Sequence, residues 1–171
     1  LGNLYYSAGV YSMGQNIHAF FFNSLDSVGF ISIDKPPLGL WIQVFFTKVL
    51  GFNGMALLLP QAIAGVISVF LIYRIIGKRF GRIPGMVSAL VLSLTPILAA
   101  VSRNNTMDGT LILMLVLASD QVLKATENSS VRHLIFAGIF TGLGFNIKML
   151  QAFMIVPAIY LTYFIFSNEK I

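Results

Sequence analysis

The 171-residue sequence contains no cysteine. That absence excludes disulfide frameworks, thiolate nucleophiles and cysteine-based zinc sites together. The two histidines, His18 and His133, are too far apart for zinc-ligand spacing. Charge is scarce too: 10% of residues are charged, where a soluble domain carries about a quarter. Phosphate-cradling loops, a dinucleotide fingerprint and a serine nucleophile elbow are missing. A nucleotide-sugar enzyme fits poorly, because its soluble donor-binding domain is nowhere in the sequence. No charged n-region or cleavage signal opens the chain, and it closes on "FSNEKI", so an internal piece of a larger membrane protein is expected.

What is present is apolar. Hydrophobic residues make up 57% of the chain. Residues 55–76, "MALLLPQAIAGVISVFLIYRII", are broken only by Pro60, Gln61, Ser68 and Arg74. At 1.5 Å rise per residue, a run of roughly 20 crosses the hydrocarbon core. Further spans are predicted at about 84–102, 107–123, 133–147 and 149–166, with Pro96 and Pro157 tolerated inside them. The fold class is therefore an all-α integral membrane protein of about five transmembrane helices. Residues 55–171 form its helical region, and residues 1–54 are read as a separate extracytoplasmic loop with interfacial helices. Pro36 and Pro37 suit a helix start, since first-turn amides need no partner. Gly138, Gly142 and Gly144 have the spacing of close helix packing.

A net charge of +5 could suggest nucleic acid, but the cations cluster between apolar runs. Topology accounts for them, and no nucleic-acid partner is expected. Arg74, Lys78, Arg79, Arg82, Lys124, Arg132 and Lys170 fall at ends that the positive-inside bias assigns to the cytoplasm. Lys35, Lys48, Arg103 and Lys148 remain on the outer side, and topology does not explain them. Ionisable residues at membrane boundaries usually face a cavity or a functional path. Lys35, Arg103 and Lys148 come from three segments that would converge if the helices bundle, with Asp34 and Asp108 beside them and Asp26 upstream. Such cations suit a lipid phosphate, and carboxylates near them could take a proton from an acceptor hydroxyl. The two acids could alternatively hold a divalent metal ion by oxygen ligands.

The blocks "GNLYYSAGVYSM", "HAFFFNSLDSVGFISIDKPPLGLWIQ", "LLLPQAIAGVISVFLIYRIIGKRFG", "RNNTMD" and "GLGFNIKMLQAF" carry more. Together the chain resembles a bacterial membrane glycosyltransferase. The family is the one containing protein O-mannosyltransferases and lipid A aminoarabinose transferases, with the GT-C fold. The resemblance implies a polyprenyl-phosphate-linked sugar donor, an extracytoplasmic acceptor and a multi-pass enzyme of the cell membrane. It places Lys35, from the "KPP" motif, at the donor phosphate. It matches Asp108 to the acid opening the helix after the second outer turn, and Lys148 to the lysine closing the next. Many relatives carry an Asp-Glu pair where this chain has Gly2 and Asn3, so Asp34 is taken as the substitute base. The expected site is Asp34 and Asp108 as catalytic acids, with Lys35, Arg103 and Lys148 on phosphate. A secondary transporter or flippase, or a non-catalytic lipid-binding subunit, are the competing readings; a transporter would place charge near mid-membrane.

The charge pattern predicts that residues 1–54, 103–108 and 146–148 lie outside, and that 77–83 and 124–132 lie in the cytoplasm. Ser27→Cys and Lys78→Cys, in a cysteine-free background, test this with a membrane-impermeant thiol reagent on intact cells. Labelling at 27 alone is expected, and labelling at 78 alone reverses the topology.

Overall fold

The computed structural model describes residues 2–26 and 28–167. Ser27, Glu169 and Lys170 lie outside the described residues, so the expectations placed on Ser27 and Lys170 have no structural counterpart. Among the described residues there is no named strand, only an isolated antiparallel bridge between Ser24 and Ser32. Three short helices come first: α1 (Leu4–Met13), α2 (Ile17–Phe21) and α3 (Leu38–Leu50). Asn3 caps α1 by accepting from the Tyr5 and Tyr6 amides, and Asn16 caps α2 through the Ala19 amide. Helix α3 begins immediately after Pro37, as the double proline predicts. At 13 residues, it is the longest of the three and too short to cross a bilayer.

Longer helices follow. Helix α4 (Gly54–Phe80) is capped by Asn53 and runs through Pro60 without a break. Helices α5 (Arg82–Leu94) and α6 (Pro96–Ser102) follow, then α7 (Asp108–Asn128) and α8 (Val131–Lys148). A 3₁₀ segment (Met149–Ile155) leads into α9 (Val156–Phe166). The predicted span 84–102 is not one rod. Pro96 has no amide to continue the ladder and holds Thr95 extended (φ −65°, ψ 115°), so α5 and α6 meet at 62°. Pro157 causes no such break, because it sits in the first turn of α9.

The chain is thus an all-α membrane protein, and length and apolarity alone pick out fewer stretches than the five expected spans. Among the described residues, three stretches are long and apolar enough to cross: Gly54–Phe80, Asp108–Asn128 and Val131–Phe166. The bent α5–α6 pair makes a fourth if taken as one span. The last stretch covers the two final predicted spans. Its helix stops at Lys148, where Met149 takes a positive φ of 52°. The 3₁₀ segment then doubles back, its Ala152 against Gly144 and its Phe153 stacked on Phe145.

The core sits where the short helices meet the bundle. Val10 and Met13 of α1 and Leu40 and Val44 of α3 pack with Leu57 of α4, Met107, Leu111 of α7 and Ile147 of α8. All eight are buried, so α1 and α3 are held by apolar contact onto the ends of α4, α7 and α8. Close backbone approach occurs elsewhere than the glycine spacing suggests. Nothing lies within 4 Å of a Cβ built on Gly138 or Gly142. The tight crossing is between α4 and α5, where a Cβ on Gly85 would meet the Gly77 Cα and the Tyr73 carbonyl at 2.8 Å each.

Gly85→Ala is therefore expected to force α5 off α4 and to cost about 1–3 kcal/mol. Gly138→Ala, with open space and better helix propensity, should be neutral or stabilising. Thermal unfolding of the two full-length variants in detergent compares them. Equal midpoints would remove the Gly77–Gly85 contact as a packing constraint.

Candidate functional site

The "DKPP" turn lies beside α1 and the ends of α7 and α8. Its first anchor is the loop 23–33. Asp26 accepts the amides of Val28, Gly29, Phe30 and Ile31 at 2.9, 2.5, 3.1 and 2.8 Å. Burial of that carboxylate opposes ionisation, but the four amide bonds together hold Asp26 below the usual carboxylate range. Its role is to fold the loop. Asn23 then donates to the Lys35 carbonyl at 2.6 Å, which fixes the turn from below. The Asp34 amide donates to the Tyr5 hydroxyl at 3.1 Å, and the Leu38 amide to Asn146 Oδ1 at 3.3 Å. One turn is thereby tied to α1 and to the last turn of α8.

Two ion pairs result. Lys35 Nζ is 2.5 Å from Asp34 Oδ2, with side-chain exposures of 24% and 54%. The Asp34 hydrogen bond raises the Lys35 ammonium above its ordinary value, with burial opposing. Lys148 pairs with Asp108 across the α7–α8 ends, at exposures of 24% and 19%. Asp34 is thus the more open acid, and Asp108 the more enclosed. Tyr6 lies within electrostatic reach of Asp34, Lys35 and Asp108. Burial first, and then Asp34, push the Tyr6 phenol up from its ordinary value against the opposing Lys35. It therefore stays protonated and able to donate. Beside Asp108, between α6, α7 and the 3₁₀ segment, runs an apolar groove of about 430 Å³ lined by Ile97, Val101, Leu111, Leu115 and Met154, with Gln151 as a further polar lining residue.

Four of the five predicted residues are brought together: Asp34, Lys35, Asp108 and Lys148. Arg103 is not. It is exposed at the end of α6, takes no ion pair with a described residue, and lines a groove on a different side. Among the described residues no three His, Asp or Glu side chains gather as metal ligands. Asp34 and Asp108 are each engaged by a lysine instead.

Residues missed in the sequence complete the frame. Asn105, 1% exposed, accepts the Asn3 amide (2.6 Å) and donates to the Asn3 carbonyl and the Ser7 hydroxyl, both at 2.9 Å. Its own carbonyl accepts from Gln43 of α3 at 3.0 Å. A Cβ on Gly2 would run into the carboxamide oxygens of Asn104 and Asn105, the latter at 2.7 Å. The carboxamides of the "RNNT" turn therefore occupy the space an acid at position 2 would need. The usable signal was polar residues at the ends of apolar helices: Tyr5, Tyr6, Asn105 and Asn146 all lie next to predicted site residues.

Residues 34–171 match the family model described as "Dolichyl-phosphate-mannose-protein mannosyltransferase". The chain is 46% identical over 169 residues to "Putative mannosyltransferase YycA" of Bacillus subtilis (strain 168), covering 99% of this chain and 25% of that protein. It is 43% identical over 169 residues to "Putative mannosyltransferase YkcB" of the same organism, covering 99% and 24%. The chain thus spans about a quarter of the length of these curated relatives. No solved structure matches it.

Lys148→Met is expected to leave the enclosed Asp108 carboxylate without a counter-charge and to destabilise the full-length protein by about 1–3 kcal/mol. Adding Asp108→Asn should return most of that loss. Denaturation of the two single variants and the double variant measures the coupling. Strictly additive losses would mean the pair does not interact.

Proposed function

Since the chain belongs to the dolichyl-phosphate-mannose-protein mannosyltransferase family, we propose that the full-length protein is an integral-membrane glycosyltransferase. It moves a sugar from a polyprenyl-phosphate-linked donor to an acceptor hydroxyl outside the cytoplasm, at the cell membrane. Residues 1–54 serve as its extracytoplasmic loop, and the helices from α4 onward form part of its membrane domain.

The observation that carries this reading is two Lys–Asp pairs at one end of the bundle, one of whose acids, Asp108, lines an apolar groove. A donor of this kind joins three chemistries: a long apolar chain, a phosphate and a reactive anomeric carbon. The groove beside Asp108 suits the chain. Lys35 and Lys148 suit the phosphate, which gains negative charge as the bond to the sugar breaks. In the transfer, the acceptor oxygen forms a bond to the anomeric carbon and the carbon–phosphate oxygen bond breaks. Its electron pair leaves with the phosphate, and the acceptor proton passes to a carboxylate. Asp34, half exposed beside Lys35, is open to an incoming hydroxyl, and Asp108 is the second acid at hand. A divalent ion is not required by this scheme.

The expected outcomes separate these roles. Lys35→Ala should lower donor-dependent transfer at least tenfold, the worth of one charge-assisted bond to phosphate. Lys78→Ala, at the far end of α4, should leave it unchanged. Asp34→Asn should preserve donor binding and cut transfer by about 10² to 10⁴. Labelled polyprenyl-phosphate sugar with the solubilised full-length protein provides the assay. If Asp34→Asn is as active as the parent and Asp108→Asn is not, Asp108 is the base. No transfer by the unaltered protein to any hydroxyl acceptor would overturn the glycosyltransferase reading itself.

A further inference from the structure

Arg103 stands apart from the paired charges. It lines a groove of about 380 Å³ between α4 and the bent α5–α6 pair, walled by Ala62, Val66 and Val69 of α4 and Ser93 of α5. The Ser102 hydroxyl lines the same groove and is buried with no hydrogen-bond partner among the described residues. A second groove of about 520 Å³ continues the first, sharing Val69 and Ser93 and reaching Tyr73. From Ala62 to Tyr73 the helix rises about 16 Å, close to the roughly 15 Å of one leaflet's hydrocarbon. The groove beside Asp108 lies on the other face of α6, at Ile97 and Val101, and shares no residue with this one.

We propose that this α4–α5 trench holds one anionic phospholipid of the surrounding bilayer. The headgroup phosphate sits on the Arg103 guanidinium, and an acyl chain lies along the trench. The argument is complementarity at both ends. A guanidinium forks onto phosphate oxygens through paired, charge-assisted hydrogen bonds. Among the described residues Arg103 has no carboxylate to neutralise it, and a cation left unpaired beside apolar helices is costly. A phospholipid supplies the anion and the apolar chain in one molecule, with the length the trench has. Neighbouring side chains agree with a lipid-facing surface: Val66, Leu90, Val91 and Leu94 are all exposed.

The test uses the full-length protein purified in detergent with added phosphatidylglycerol. Native mass spectrometry should detect one phosphatidylglycerol retained per chain. Arg103→Gln should lower that retention about tenfold, and Val69→Trp, which fills the trench, should lower it as well. Retention that survives Arg103→Gln, or none in the unaltered protein, overturns the proposal. A fluorophore on Val66→Cys should be quenched by brominated phosphatidylglycerol in nanodiscs. An unquenched label means another segment of the protein covers the trench, and the lipid assignment fails. If Arg103→Gln cuts sugar transfer as deeply as Lys35→Ala while lipid retention stays intact, Arg103 serves the donor phosphate and the proposal is wrong.

Discussion

A buried carboxamide holds the two halves of this structure in register. Asn105 sits in the turn before α7, and its side chain closes on both backbone groups of Asn3 and on Ser7. Its carbonyl takes the amide of Gln43. In an apolar environment each of these groups would cost free energy if left unpaired, so the partners are obligatory. Helix α1 can therefore occupy only one position over the bundle. That position puts Tyr5 where its hydroxyl receives the Asp34 amide, and Tyr6 within electrostatic reach of Asp34, Lys35 and Asp108. The "DKPP" turn inherits its place from a residue some seventy positions further along the chain.

Charge at the edge of an apolar bundle explains much of the remaining arrangement. Asp34 and Lys35 are adjacent in sequence and close into a pair, and Asp108 and Lys148 do the same across two helices. The opposite ends of α4 and α7 follow the same rule. Arg79 bridges to Glu127 at 2.5 Å and to Asp120 at 3.7 Å, and Asp120 also holds Lys124 at 2.5 Å. His133 of α8 adds a hydrogen-bonding contact to Gln121 at 2.8 Å. These contacts fix α4, α7 and α8 at one end, so their relative placement at the other end is not free to drift. A site assembled from the far ends of those helices gains from that stiffness.

Much of this could be read from the sequence, and the failures have identifiable causes. Apolar run length locates α4, α7 and α8, because the cost of exposing such runs to water leaves few alternatives. The double proline locates the start of α3. The Thr95–Pro96 bend was missed because hydropathy measures composition and is silent about backbone geometry. Gly138 and Gly142 of α8 were misjudged for a related reason, whereas Gly144 does pack closely, against Ala152 and Leu111 of α7. Spacing shows that a small face exists, whereas a close crossing also needs a partner, and Gly85 found one in Gly77. The gathering of Asp34, Lys35, Asp108 and Lys148 was legible because charge is rare, since each ionisable group among apolar residues must be accounted for. Its neutral frame was less so. Asn105 and Tyr5 act through backbone groups that no side-chain pattern announces.

The departure at Gly2 and Asn3 becomes intelligible in the same terms. An acid at position 2 would need space that the carboxamides of Asn104 and Asn105 occupy. Asn3, meanwhile, spends its side chain capping α1. The segment before α1 therefore contributes backbone to the junction and no carboxylate to the site. Of the described acids near this end, Asp26 is committed to four backbone amides. The remaining acids at this end are one beside Lys35 and one beside Lys148, the two to which the proposed function gives proton transfer. The adjacency of Asp34 and Lys35 then has a physical reading. Acid and cation screen each other's charge at an apolar boundary, and under the proposed function the same pairing would keep both within reach of one substrate.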